Sequence, residues 1–525
     1  MTMGRSLVWL VGLVGCTGTT GPDGPVGPFN FDMEIDGGGQ DYNAPNPDWE
    51  PDTDESFDVK TCMAANGTLY AVWYKIPYVD DGGKMVQAGF ADVYFNRSTD
   101  GGKTWLPDPI RVKQGPGDAS GVDMACLGDR VYVVWEDDRD GETGYQNIYL
   151  NFSTDGGDTW EQDDKALDND PDGYAISLGP KLALFEGQVH VVWYDQVEGA
   201  PDVFISTSVN GGRKFNEPVR ISNAREDEEL AGTSWNGNPQ IVIDAQGVIT
   251  VVWESTRNGR QDIFSSTSTT GGQTFGPQKR VDTGDERGAN YSFAPRVGVS
   301  NGNVYVVWHD SRSGARRDVY MNYSADSGAN WLESAVRVES LSAEGFTESI
   351  FADVVVDGDV AHIVWQDADA GAGYDIYYRR ATAGVFASGD DGKEVRIDGR
   401  RDDDGEEEDK GEANSTYPRI VKAGSILAVA WSDYRNDAGA GYNDLFYNYI
   451  DLAAETPAWL SEDLGLKSLD KGRSFTEDHS IFVRDGELFT TWVDGRNGNR
   501  DVFFSRVALG EAVESLDVYT EAQGK

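Results

Sequence analysis

The sequence predicts an all-β fold, a β-propeller of about eight four-stranded blades in a single ring. Three observations predict it. A strand-like block of the form V-x-V-V-W recurs eight times, ending at Trp73, Trp135, Trp193, Trp253, Trp308, Trp365, Trp431 and Trp492, at intervals of 55 to 66 residues. A polar loop and a second run of the type D-V-Y or D-I-F follow each block. Behind that run comes S-x-D-G-G-x-T-W, intact as Ser98–Trp105 and Ser153–Trp160 and decaying through Ser208–Phe215, Ser268–Phe275 and Ser324–Trp331. Self-similarity at this period is the mark of a repeat architecture. No part of the repeat has a sustained helical period.

The elements follow in chain order. Residues 1–15 read as an export signal: Arg5 precedes the apolar run Leu7–Val14, which is shorter than the ~20 residues a membrane span needs. Leu13-Val14-Gly15-Cys16 resembles a bacterial lipobox, which implies acylation of Cys16 and a lipid anchor. Residues 16–28 carry three Gly-Pro triplets and read as a stiff tether. The propeller occupies residues 29–525. Phe29–Ile35 alternates apolar and polar residues, like an outer strand without its blade, and is expected to pair with the last unit and lock the ring. Ser515–Tyr519 is the competing segment. Within a unit, strand A is short and apolar, as in Pro295–Ser300. Strand B is Asn303–Trp308, strand C Asp318–Tyr323, and strand D Ala335–Glu339. Gly, Asn and Asp cluster between them as turn formers. One such sheet cannot bury both faces, and stacking in a ring does so.

The formal charge is −46, from 90 acidic and 44 basic residues. Nucleic-acid binding needs a basic footprint and is excluded. Dense carboxylates fit either a surface kept hydrated in saline surroundings or bound Ca²⁺. The best local calcium pattern is Asp168, Asp170 and Asp172 before Gly173, but Gly179 stands where a bidentate Glu is needed. A solvated acidic turn is the favoured reading there, and no cofactor is required. Asp402–Asp409 reads as a solvated loop. Cys62 and Cys126 lie on strand A of the first two units. Aligned on their tryptophans they stand two residues apart and face the same way. Two buried thiols are expected, with an inter-blade disulfide as the alternative open to an exported chain.

Repetition filters the chemistry. Residues found in most units serve the blade. Asp137 and Arg139, Asp310 and Arg312, Asp433 and Arg435, and Asp494 and Arg496 follow the tryptophans, and strand C opens with an Asp in seven units. These are expected to form ion pairs within one hairpin. The motif residues Asp100, Trp105, Asp155, Trp160, Asp326 and Trp331 are structural on the same ground.

The S-x-D-G-G-x-T-W motif behind a B–C hairpin resembles the Asp-box, or bacterial neuraminidase repeat, of sialidase-like propellers, over about residues 59–510. The resemblance implies Asp-boxes on one face and a ligand site on the other, built by the D–A and B–C loops. For an active sialidase it implies three arginines, a Tyr–Glu pair and an Asp. The sequence departs from that pattern: the first strand A, Val59–Ala64, has no Arg-Ile-Pro, and sialidases have six blades against eight units here. Candidates of the right type are Arg296, Arg419, Tyr291, Tyr417 and Glu348, with Trp235, Arg287 and His479 as further binding-face residues. The histidines show no metal-ligand spacing and no nucleophile motif is visible. The expected function is an exported, lipid-anchored, monomeric propeller of the bacterial envelope. It binds a glycan or an envelope protein through its loop face without catalysis; a sialidase-like glycoside hydrolase is the alternative.

Overall fold

Blade 5 shows how the repeat folds. Alternating apolar residues drive Ser292–Ser300, Asn303–Asp310 and Asp318–Ser324 into three antiparallel strands, A to C, and Val336–Arg337 adds a short D. The computed structural model describes residues 33–36 and 54–509, less 83, 141–144, 169–175, 197–199, 223–233, 315, 369–372, 390–391, 400–412, 438–440, 462, 467–474 and 497–498. Among these residues eight four-stranded sheets form. No helix among them is long and apolar enough to cross a membrane. In blades 1 to 7 the order across the sheet is A-B-C-D; in blade 8 the outer place is taken by Met33–Glu34. Met33 stands opposite Phe504 and Glu34 opposite Phe503. Phe29–Asp32, the competitor Ser515–Tyr519, Cys16 and the tether lie outside the described residues.

The core lies between blades. All eight tryptophans are fully buried, and each ends a B strand whose apolar face packs on its neighbours. In blades 2, 5, 7 and 8 the indole N–H donates to the Asp two residues on, as from Trp308 to Asp310 at 2.8 Å. That Asp also takes the hairpin arginine: Arg139–Asp137 and Arg312–Asp310 at 2.6 Å, Arg435–Asp433 at 2.5 Å and Arg496–Asp494 at 2.8 Å. The strand C aspartates are not part of this pairing, as the sequence had suggested. Arginines of strand D take them instead, Arg111 on Asp92, Arg280 on Asp262 and Arg396 on Asp375. Strand D is therefore fastened by charge where it is too short to be fastened by its ladder.

Each Asp-box is a closed turn. Ser98 Oγ donates to Asp100, Gly102 N donates back to Ser98 Oγ at 2.8 Å, and Thr104 N donates to Asp100 at 2.9 Å. In the second box the Thr159 hydroxyl and amide, then the Ser153 hydroxyl, hold the Asp155 carboxyl down to about 2. The box aromatic reaches the preceding blade: Trp105 meets Phe504, Trp160 meets Phe95, and Trp331 donates to Ser265.

Cys62 and Cys126 are joined, with Cα atoms 6.0 Å apart. This corrects the expectation of free thiols. Cys62 stands opposite Tyr70 and Cys126 opposite Val131, three and four residues before their tryptophans. They are thus one register step apart and on opposite faces of their own blades, as a bond between neighbouring blades requires. Alignment by sequence spacing misplaced them because the A–B turn of blade 1 is longer.

Candidate functional site: the mouth of the axial channel

Strand A is innermost in every blade, and it is bent at one place. Pairing with strand B slips between residues 57/60, 120/123, 178/181, 237/240, 293/296, 350/353, 416/419 and 477/480. At each slip one residue is left-handed: Asp58, Gly121, Gly179, Asn238, Ala294, Phe351, Tyr417 and Asp478. This bulge explains why strand A begins at Ser292 rather than Pro295: the proline breaks the alternation without ending the strand. The bulges lie near the D–A loops, so they ring the mouth on the face away from the Asp-boxes.

Five of the left-handed residues are held by the preceding blade. The residue just after the blade tryptophan accepts their backbone N–H: Glu136 from Gly179 at 2.8 Å, Glu254 from Ala294 at 2.7 Å, His309 Nε2 from Phe351 at 2.5 Å, and Gln366 from Tyr417 at 2.8 Å. At the ring seam the Asp478 carboxylate accepts from Asp58. His309 must therefore be unprotonated at Nε2. Burial, then Arg317 and Arg296, push its pKa down to about 3.

Two residues beyond each bulge comes a belt of eight side chains, all opposite the residue that precedes the tryptophan: Lys60, Asp123, Lys181, Gln240, Arg296, Asp353, Arg419 and Ser480. Four cations and two carboxylates make this belt net positive in a chain of charge −46. It repeats across the ring: Asp123 lies between Lys60 and Lys181, and Asp353 between Arg296 and Arg419. Asp123 accepts the amide of Leu182 at 2.9 Å and Asp353 that of Ile420 at 3.1 Å. Burial, then Arg419, lower the pKa of Arg296, while Asp353 opposes them. Neither Arg296 nor Arg419 has a side-chain hydrogen bond or ion pair among the described residues.

Above the arginines lie aromatic rings. Tyr417 is 49% and Phe351 39% exposed, with centroids 4.6 Å apart. His309 sits edge-on between Phe351 and Phe293. Of the sequence candidates, Arg296, Arg419 and Tyr417 share this wall, and buried His479 adjoins Arg419, its pKa pushed down to about 3 by burial and then by that charge. Glu348 is drawn aside into an ion pair with Arg317. Tyr291 is exposed, with Arg260 over its ring. No hydrogen bond joins either tyrosine to Glu348 among the described residues. Trp235 is a packing residue, edge-on to Tyr194 and under Gly237. Arg287 is exposed on its loop. Asp168 is buried and accepts the Ile148 amide at 2.7 Å, so its carboxylate faces the blade and burial raises its pKa to about 7. Asp170 and Asp172 lie outside the described residues. Sequence reading missed Phe351, Asp353 and His309. The signal was available in the residue that follows each tryptophan, which varies in chemistry while its neighbours do not.

Residues 234–462 match the family described as BNR repeat-containing family member. That stretch is similar to the family, and the eight sheets around it are those of a β-propeller. No curated protein matches it. Among solved structures, the polysaccharide lyase Uly1 is 10% identical over 76% of this propeller and 92% of that chain, TM-score 0.44. An α-L-arabinanase of Penicillium chrysogenum is 14% identical over 60% and 88%, TM-score 0.35. A sialidase of Trypanosoma rangeli is 10% identical over 76% of the propeller and 56% of that chain, TM-score 0.38.

Proposed function

We propose that the propeller binds an acidic glycan at this mouth and does not cleave it. The carboxylate lies against Arg296 and Arg419, and the sugar rings lie against Phe351 and Tyr417. The observation that carries the reading is the pair of guanidiniums without an ion pair, in a belt more positive than the rest of the chain. Buried charge calls for a partner, and Arg offers a carboxylate two parallel hydrogen bonds. The absence of turnover is inferred from commitment of the acids: Glu348 serves Arg317, and the Asp353 carboxylate accepts the Ile420 amide. The protein is exported and held to the envelope through lipid on Cys16. The Cys62–Cys126 bond supports an oxidising compartment.

A glycan array with acidic and matched neutral oligosaccharides tests this. Retention of the acidic set alone is expected, weakened roughly tenfold or more in Arg419→Ala. Equal retention of neutral sugars, or release of fluorophore from a sialoside, overturns it. A Cys16→Ala chain that still takes up radiolabelled palmitate would overturn the anchor.

A further inference from the structure

At six junctions a glycine of one blade's C–D turn is seated on the preceding blade. A β-carbon would come within 2.3 Å of Phe504 at Gly102 and 2.2 Å of Phe95 at Gly157. Gly212, Gly272, Gly328 and Gly384 are seated in the same way, with nearest side chains at 2.6 to 3.0 Å. From Gly212 to Gly384 the seat includes the residue three before the tryptophan, and the Tyr305 hydroxyl accepts the Gly384 amide. Blade 7 differs. Counted from strand C, Ala453 and Ala454 stand where the glycine pair belongs, and both are exposed. Trp459 leans on Tyr378 instead, edge-on at 4.9 Å. The seat on blade 6 is left as a cavity of about 670 Å³ walled by His362, Tyr378, Val395 and Trp459, with Arg380 at its edge.

We infer that this cavity, on the opposite face from the mouth, is a second binding site for a small ring-bearing carboxylate. Its size is that of small-molecule pockets. Tyr378 and Trp459 offer aromatic walls to a sugar or aromatic ring. His362 Nδ1 and the Tyr378 hydroxyl are 2.7 Å apart, a polar pair in the wall. Arg380 is exposed and has no ion pair among the described residues, whereas its neighbours Lys422 and Arg396 are held by Asp357 and by Asp375 and Asp398. Among the described residues that line the cavity, Arg380 is the cation without an ion pair, and it sets the sign of the ligand.

Calorimetric titration of a chain carrying both Arg296→Ala and Arg419→Ala, which removes both guanidiniums of the mouth, decides the matter with glucuronate, benzoate, glucose and acetate. Saturable binding of glucuronate or benzoate is expected, without glucose or acetate, and which of the two binds tells sugar from aromatic. Arg380→Ala should weaken it roughly tenfold or more. Ala458→Trp, a plug placed from the exposed rim, should abolish it with the melting temperature unchanged. Failure of both carboxylates to bind, or binding indifferent to both changes, overturns the proposal. The mouth reading stands or falls separately on the acidic array.

Discussion

Ala294, Phe351 and Tyr417 adopt backbone that glycine adopts at Gly121 and Gly179 in the same ring of bulges. A left-handed residue with a β-carbon costs about 1–2 kcal/mol, and strain of this kind gathers at working sites. Phe351 and Tyr417 use it to turn their rings outward. Ala294→Gly removes the strain but gives the unfolded chain more freedom, roughly 0.5–1 kcal/mol. Urea unfolding should show no change or a gain of about 1 kcal/mol. Gly121→Ala should be destabilising, because its β-carbon would lie 2.5 Å from the Glu136 carboxyl. Equal losses from both changes would refute this account of the bulge. Much of the residue chemistry could be read from repetition. The hairpin aspartates and arginines were assigned to structure from sequence, and they are structural. The strand D arginines were overlooked because a V-R pair in a short strand looks like ordinary alternation. The split of Glu348 from the tyrosines was not legible, since it depends on Arg317 in another loop.

At the scale of elements, strands B and C announce themselves by alternation and by the tryptophan, and they fall where expected. Strand A starts earlier than its apolar run, because a bulge rather than a turn precedes Pro295. The Cys62–Cys126 bond shows how a turn of different length defeats alignment by spacing. It closes a loop of 64 residues, for which the chain-entropy estimate is about 4 kcal/mol. Reduction, or Cys62→Ser with Cys126→Ser, should lower stability by up to about that amount in denaturant titration. An unchanged midpoint would show that the bond adds nothing to the packing of blades 1 and 2.

For the whole molecule the seam matters most. The Asn96 amide donates to Ile35, Ser56 donates to Asp36 at 2.6 Å, and Arg506 reaches Gly101. Charge is exchanged at this place. The outer strands of blades 4, 5 and 6 carry an arginine two residues before a buried acid, Arg280 before Asp282, Arg337 before Glu339 and Arg396 before Asp398, whereas Glu34 precedes Asp36. Blade 1 has Lys75 where six other blades have the hairpin Asp, and Lys75 is the first of the charges that oppose the rise of the Asp36 pKa to about 7, itself caused by burial. The closing strand thus carries a charge pattern unlike that of any other outer strand. Removal of residues 1–36 should lower the melting temperature and broaden the calorimetric transition. A sharp transition at the original temperature would show that blade 8 closes on three strands.

Met33–Glu34 runs antiparallel to strand C of blade 8, which descends from the mouth to the Asp-box side. The closing strand therefore climbs toward the mouth, and its N-terminal end lies below. Were lipid on Cys16 to moor the chain by that end, it would be held like a cup by its base, with the rim open to the surroundings and the cavity between blades 6 and 7 turned toward the mooring.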